Sequence, residues 1–265
     1  MNPIDIRLVC EGQPQGRDIR WLALALSELA GSFEPASTVR VVPGGSKADL
    51  GAAVRGLRET LGTRHVYAIR DRDFLPSKLL AKDVGHGVYS FNRHCLESYL
   101  VEPKTIEDAL GADSVEARLL LLAERRFWPD VARAVLDAVG YEIRQPRLSL
   151  GSSAPDSKVE VMQTVTVMLG DFRQQLAELK LDVEELVNNF SRDMDVAPLW
   201  TRVNGKELMA QLEDELRSSV LPGGDIEGRL FRQCKLHGPP EPLVAEVRQI
   251  LERMLAPNAP APLGE

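Results

Sequence analysis

Acidic side chains follow two predicted strands at the points where those strands end. Glu11 comes directly after a β-prone, largely apolar segment at residues 4–10. Asp71 and Asp73 follow a similar segment at residues 65–69. In open α/β sheets, ligands bind in the crevice beyond the carboxyl ends of the strands. Because alternate residues of an extended segment point the same way, we expect Asp71 and Asp73 to face one site together with Glu11.

This set of oxygen donors suits Mg²⁺ or Mn²⁺. Mg²⁺ binds one or two carboxylates directly, keeps several waters and contacts substrate phosphates, and a second ion nearby would make a phosphodiester clamp. Taken singly, a Glu-Gly after a strand is usually a turn, and an Asp-x-Asp in a loop is usually a surface turn. Their combination and order favour a divalent-cation site.

Predicted strands and helices alternate over the first part of the chain. The strands are expected at residues 4–10, 38–42, 65–69 and 87–90, and the helices at residues 19–30, 47–61 and 94–101. Asp18 is a candidate cap for the first helix, and Gly62 a stop signal for the second. The pattern predicts an α/β fold, with a mostly parallel sheet and helices on both faces.

Beyond Pro103, long helical patterns replace the strands. Helices are expected near residues 114–139, 159–190, 206–220 and 242–255, with an exposed polar loop at residues 151–158. The predicted organisation is therefore a metal-binding domain over residues 1–103, a mainly helical region over residues 104–255, and a flexible tail over residues 256–265. The helical region is expected to pack on the first domain or to contact partners.

Bulk composition excludes several classes of protein. No apolar run approaches the roughly 20 residues needed to span a bilayer, and the N-terminus lacks the features of a signal peptide. The three cysteines have no paired spacing, which argues against a disulfide framework or a zinc site. We expect a cytoplasmic protein without a membrane anchor.

Several of these segments carry a family resemblance. Residues 10–12 (CEG), 42–47 (VPGGSK) and 69–74 (IRDRDF) resemble the TOPRIM fold shared by topoisomerases, primases and OLD-family nucleases. More closely, the pattern resembles TOPRIM-like proteins that work with ATPase partners in bacterial anti-phage defence, including the nuclease effector of PARIS-type systems. In that group a downstream Glu in a helix recurs, here Glu97, and a late Gly-Lys element, here within residues 203–206.

The resemblance covers residues 4–103 and a short stretch at residues 200–208, and it implies roles for the acidic residues. It implies that Glu11 is a metal ligand that also serves as general acid or base, and that Asp71 and Asp73 are metal ligands. Glu97 would be an additional ligand or support one. The alternative for Glu97 is a carboxylate that only stabilises the start of a helix.

The resemblance also implies contacts with substrate. Lys206 would stabilise the charge that develops in the transition state. Lys47, Arg72 and His94 are the candidate substrate-binding residues. Solvent exposure is the alternative for each lysine, and helix capping the alternative for His94. The family commonly places an Asp two or three residues after its Glu-Gly, whereas Asp18 lies further along this chain.

The resemblance thus implies a Mg²⁺-dependent nuclease acting on DNA or tRNA, controlled by an ABC- or AAA-type ATPase partner and possible as a homodimer. The net charge of −7 is unusual for a protein that binds phosphates, but a carboxylate metal site contributes negative charge, and a partner could supply basic surface. One alternative is a non-catalytic TOPRIM-like regulatory subunit of an ATPase complex. Another is a phosphatase of the haloacid dehalogenase type with Asp71 as nucleophile, which is disfavoured because the motif follows the third strand.

Overall fold

The computed structural model describes residues 4–30, 32, 37–46, 49–75, 77–142, 155–170, 182–219 and 225–256. Lys47, residues 151–154 of the predicted polar loop, and the tail beyond Ala256 lie outside these ranges. Within them, no helix is both long enough and apolar enough to cross a membrane.

Four parallel strands form one sheet, in the order β2-β1-β3-β4. They are β1 (Ile4–Cys10), β2 (Ser37–Pro43), β3 (Val66–Arg70) and β4 (Val88–Ser90). At the carboxyl end of β1, Cys10 pairs with Pro43 on one side and with Ile69 on the other. The ends of these three strands therefore lie at the same edge of the sheet, as the sequence predicted for the acidic residues that follow them.

Helices cover both faces of the sheet. They are α1 (Arg17–Glu28), α2 (Leu50–Leu61), α3 (Ser77–Gly85), α4 (Glu97–Leu100), α5 (Pro103–Leu110), α6 (Val115–Glu142), α7 (Lys158–Met168), α8 (Val183–Met194), α9 (Gly205–Ser219), α10 (Ile226–His237) and α11 (Glu241–Leu255). On one face, Leu8 and Ile69 belong to a large core shared with α1 and the C-terminal helices. On the other face, Val9 and Ala68 pack with Leu50 of α2. The expectation of an α/β fold with a parallel sheet is confirmed.

The first helix starts earlier than the sequence suggested. Residue Gly16, in an extended conformation, precedes α1, and no side chain caps the helix there. Asp18 is therefore an acidic residue of the first turn and not the cap, so the capping prediction is wrong. The second helix ends as predicted, because Gly62 adopts the left-handed conformation that terminates helices.

One hydrophobic core joins the sheet to the C-terminal helices. Ile6 and Trp21 from the first part of the chain share it with Leu208 of α9 and Leu251 of α11. A second core holds α6, α7 and α8 together and receives Phe74 from the segment after β3. Because burial of apolar surface is the main favourable term in folding, α9 is held firmly beside the carboxyl edge of the sheet.

Candidate metal centre

Asp71 is fixed just beyond the end of β3. Its carboxylate is 3% exposed, and each of its oxygens accepts a hydrogen bond. The backbone N–H of Leu96 donates to Oδ1 over 3.0 Å, and the Lys206 ammonium donates to Oδ2 over 2.6 Å. A buried polar group needs such partners to offset the loss of water. Asp71 is thus held in a defined orientation.

Glu97 begins α4 and is also almost fully buried, with 2% of the residue exposed. Its Oε1 accepts a hydrogen bond from Arg17 over 2.6 Å. Its Oε2 is buried and has no hydrogen-bond partner among the described residues. Leaving a buried acceptor of a charged group unsatisfied costs free energy. The Oε2 atom is therefore a candidate ligand atom for a cation.

Arg17 links this carboxylate to the C-terminal helices. Its second guanidinium nitrogen lies 2.6 Å from Oε2 of Glu227, which belongs to the first turn of α10. Burial alone would lower the pKa of Arg17, but Glu97 and Glu227 outweigh it and raise the pKa above its ordinary value. The Arg17 side chain is 44% exposed, so solvent screens its ion pairs and reduces the cost of moving the guanidinium into water.

Asp18 is a third carboxyl group near this end of the sheet. Its pKa is raised to about 6, first by burial and then by the negative charges of Asp71 and Glu97, while Lys206 and Arg17 oppose the rise. Such repulsion operates only between groups that lie close together. The sequence predicted Asp18 only as a helix cap, because it lies further from Glu11 than the Asp of the family resemblance. The first turn of α1 brings it back to the site.

Replacing Asp18 by asparagine should change how stability depends on pH. In the folded protein Asp18 holds its proton up to about pH 6, whereas the unfolded chain releases it near pH 4. Folding is therefore progressively disfavoured as the pH rises through this window. We expect Asp18→Asn to be more stable than the parent at pH 8, by up to about 3 kcal/mol, and nearly equal to it at pH 4.

Urea denaturation in EDTA at the two pH values measures this effect. Asp108→Asn, the same change at an exposed position of α5, is the control and should show no pH-dependent difference. An Asp18→Asn variant whose stability difference from the parent is the same at pH 4 and pH 8 would contradict the assignment.

Glu11 lies at the same edge of the sheet. The register of β1 against β3 pairs Cys10 with Ile69, so Glu11 comes level with Arg70, one residue before Asp71. Burial, followed by the charges of Asp18 and Glu11, raises the pKa of the Cys10 thiol to about 12. Glu11 is thus half-buried at this end of β1, at the same edge of the sheet as Asp71, as the sequence predicted.

The glycines around Glu11 bring two loops together. Gly12 and Gly45 form an isolated bridge, and both have a positive φ that favours glycine. The Gly44 N–H donates to the Cys10 carbonyl over 2.7 Å, and a β-carbon on Gly44 would overlap the side chain of Val9. The Gly-Gly turn of the resemblance therefore packs directly against the loop that carries Glu11.

The other predicted residues lie in a neighbouring cavity. Asp73, Arg72 and His94 all line it. Asp73 has a φ of 48°, so residues 71–73 are not the extended segment that the expectation of a shared face assumed. His94 is buried, and its ring lies 4.3 Å from that of Phe74, centroid to centroid. Asp71 thus belongs to the carboxylate group, whereas Asp73 belongs to the wall of the adjacent cavity.

Lys206 is positioned by a chain of buried polar contacts. It lies in the first turn of α9, where the Asn204 side chain accepts hydrogen bonds from the Lys206 and Glu207 N–H groups over 3.1 and 3.4 Å. The Asn204 N–H in turn donates to Asp130 of α6 over 2.8 Å. Burial alone would lower the pKa of Lys206, but Asp71 and Glu97 outweigh it and raise the pKa. Its ammonium is therefore charged at neutral pH.

Gly205 allows α9 to approach α4 closely. A β-carbon at Gly205 would lie 2.6 Å from the Ser98 Cα and would also overlap the Ser98 backbone nitrogen and hydroxyl. We expect Gly205→Ala to destabilise the protein by about 3 kcal/mol, because backbone atoms on both sides must shift. Equilibrium urea denaturation measures the change.

Gly56→Ala is the matched control for that substitution. Gly56 lies within α2, and nothing lies within 4 Å of a β-carbon added there. Alanine is the better helix former, so this variant should gain about 0.5–1 kcal/mol. A Gly205→Ala variant as stable as the parent would show that α9 can move away from α4 at little cost.

The donor set of the site fits a hard divalent cation such as Mg²⁺. The groups are carboxylates, and one buried oxygen of Glu97 lacks a partner within the described ranges. Burial, followed by repulsion from Asp71 and Glu97, raises the pKa of Asp18. The described residues contain no group of three or more His, Cys, Asp or Glu side chains arranged around a common point. Mg²⁺ does not require one, because it is commonly held by one or two carboxylates and completes its shell with water and phosphate.

Comparisons of the chain with family models, with curated proteins and with solved structures give no match. The geometry of the site and the resemblance of its motifs therefore carry the functional argument.

Proposed function

We propose that this protein is a Mg²⁺-dependent, TOPRIM-like nuclease that hydrolyses phosphodiester bonds of nucleic acid. The observation that carries the proposal is the convergence of Asp18, Asp71 and Glu97 with Lys206 beyond the carboxyl ends of parallel strands. Carboxylates for a divalent cation, beside a fixed ammonium, are the groups that phosphoryl-transfer chemistry uses. The motifs that resemble TOPRIM proteins include the same residues except Asp18.

Asp71 and Glu97 are the residues that would hold Mg²⁺. Asp18 would contribute a further carboxyl group near them. When bound, Mg²⁺ would supply a polarised phosphate and a more acidic water. Glu11, half-buried at the neighbouring strand end, would accept the proton of the attacking water. Lys206 would stabilise negative charge on the phosphate oxygens, and Asn204 would keep its backbone in place.

Both cations of the site are able to leave it. The side chains of Lys206 and Arg17 are each 44% exposed, whereas their partners Asp71 and Glu97 are almost fully buried. A cation that replaces them at the carboxylates would leave the ammonium and guanidinium free to meet phosphate oxygens. The ion pairs therefore fit a resting state of a metal-dependent enzyme.

The resemblance further supports a role as an anti-phage effector in the cytoplasm, controlled by an ATPase partner. The helical region offers exposed apolar side chains for such a contact, namely Leu120, Leu121, Val159, Val167 and Leu236. A basic partner would also compensate for the net charge of −7 when nucleic acid binds.

A second candidate is a non-catalytic regulatory subunit of the same kind of ATPase complex. The observation that favours it is that Asp71 and Glu97 already have cationic partners. In a regulatory subunit, the Arg17–Glu97 and Lys206–Asp71 ion pairs would be permanent and would have only a structural role.

A cleavage assay separates the two candidates. The parent and Glu11→Ala are incubated with plasmid, single-stranded DNA and total tRNA, with Mg²⁺, with Mn²⁺ and with EDTA. The nuclease proposal requires cleavage of at least one substrate by the parent with metal, its loss in EDTA, and its loss in Glu11→Ala. Equal cleavage by Glu11→Ala and the parent would end the assignment, and inactivity of the parent even with its ATPase partner would favour the regulatory subunit.

A further inference from the structure

A small cavity lies beside the carboxylates, between the segment after β3 and the helical region. Its volume is about 50 Å³, which is room for a group larger than a single water molecule. Its wall is lined by residues 72–75, by Asp193 of α8 and by Arg202. Asp73 lies two residues beyond Asp71, so the cavity adjoins the metal centre.

Arg202 has an unsatisfied donor in this wall. Its Nε atom is buried and has no hydrogen-bond acceptor among the described residues. An unpaired donor of a buried cationic group is costly, and the cost is removed when an anion accepts the hydrogen bond. Arg202 lines the cavity, so its guanidinium is available to an anionic acceptor that enters there.

Arg72 faces the same space and is held by a fixed acceptor. Its Nη1 donates to the Asn92 carbonyl over 3.1 Å. Asn92 is itself fixed, because its backbone N–H and its side-chain amide both donate to Glu246 of α11, over 3.1 and 3.0 Å. A guanidinium has five N–H donors in a planar fork, so other donors of Arg72 remain for a ligand.

Two guanidinium groups that line one cavity are suited to a tetrahedral oxyanion, since arginine forks match the spacing of phosphate oxygens. Asp73 and Asp193 also line the cavity, and their charges oppose an anion. A free phosphate ion would therefore bind weakly. A phosphate carried by a strand already bound at the carboxylates is presented at high local concentration and overcomes that repulsion.

We propose that this cavity binds the phosphate next to the scissile one in the substrate strand, with Arg202 and Arg72 as its ligands. The inference rests on the proposed nuclease function and adds to it a subsite that fixes the position and direction of the strand. Arg202 and Asp193, which no motif of the sequence marked, become determinants of substrate binding.

Binding of a short single-stranded oligonucleotide, labelled and followed by fluorescence anisotropy with Ca²⁺ in place of Mg²⁺, tests the proposal under conditions that hold the strand at the carboxylates. Arg202→Gln should weaken binding of DNA and RNA alike by roughly tenfold. The slope of log K against log salt should fall by about 0.7, since one phosphate contact is lost. Arg248→Gln, an exposed arginine of α11, is the control and should bind as the parent does.

Asp193→Asn supplies a change in the opposite direction, which misfolding cannot produce. Removing this negative charge from the cavity should tighten oligonucleotide binding about threefold. The inference is overturned if the parent does not bind the oligonucleotide, if Arg202→Gln keeps the parent's affinity and salt slope, or if Asp193→Asn fails to bind more tightly.

The same experiment distinguishes failure of the subsite from failure of the nuclease assignment. Predicted effects on binding together with an inactive parent would keep the subsite and remove the nuclease. Metal-dependent cleavage by the parent together with unchanged binding by Arg202→Gln would remove the subsite alone.

Discussion

Asp71→Asn should lower Mg²⁺-dependent cleavage at least about 100-fold, because loss even of a group behind a metal ligand commonly costs 10- to 100-fold. The asparagine oxygen can still accept the Leu96 N–H, and the half-exposed Lys206 can turn to solvent, so the fold should survive. Initial cleavage rates over a range of Mg²⁺ concentrations measure the effect. The variant should require more metal than the parent and remain slow when saturated.

Two further asparagine variants sharpen that measurement. Asp108→Asn makes the same change at an exposed position and should cleave at the parent's rate.

Asp73→Asn tests where the second carboxylate of the motif acts. Because Asp73 lines the adjacent cavity, its replacement should cost less activity than that of Asp71. Equal losses in the two variants would return Asp73 to the metal centre, and full activity of Asp71→Asn would exclude it as a ligand.

Lys206→Met should destabilise the protein in the absence of metal and make it depend on Mg²⁺. Without the ammonium, the buried Asp71 carboxylate keeps only the Leu96 N–H as a partner. Removing one member of a fully buried pair costs 3–5 kcal/mol, and the 44% exposure of Lys206 reduces our expectation to about 2 kcal/mol. Added Mg²⁺ would bind the uncovered carboxylate and restore stability.

Thermal unfolding with EDTA and with Mg²⁺ measures both effects. The rise in Tm caused by Mg²⁺ should be larger for Lys206→Met than for the parent, since metal and ammonium compete for the same oxygen in the parent. Lys104→Met, at an exposed position of α5, should behave as the parent. If Mg²⁺ shifts the Tm of Lys206→Met and the parent equally, the competition is refuted.

The strands could be predicted because their signal is local. Each is a short β-prone run bounded by turn residues, and β1 was predicted with the bounds it has, Ile4–Cys10. Helix α10 (Ile226–His237) was missed although Asp225 caps it. Its buried residues lie only at every fourth position, and most of its other residues are polar. The apolar face is therefore too narrow to be recognised in the sequence.

The site was predictable where a residue's role follows from the strand that precedes it. Glu11 and Asp71 come directly after strands, and parallel order alone brings them to one edge. Asp73 could not be placed, because a positive φ at an aspartate depends on surroundings that the sequence does not show. The position of Asp18 could not be predicted from its distance along the chain, because the first turn of α1 brings its carboxyl group near Asp71 and Glu97.

Partners from distant parts of the chain could not be foreseen from spacing. Arg17 reaches Glu227, and Asp130 reaches Asn204, only because α6, α9 and α10 pack beside the sheet. Lys206 was singled out by the resemblance of its motif, but its contact with Asp71 depends on the fold.

The shared core has a consequence for synthesis of the chain on the ribosome. The carboxylates emerge early, but Lys206 and the helices that complete their setting come last. A chain that stops before α9 would leave Ile6 and Trp21 without the apolar partners they have in the full protein, and it would lack the ammonium opposite Asp71. If the proposed nuclease function holds, truncated products would lack a complete site, and only the finished chain would cleave nucleic acid.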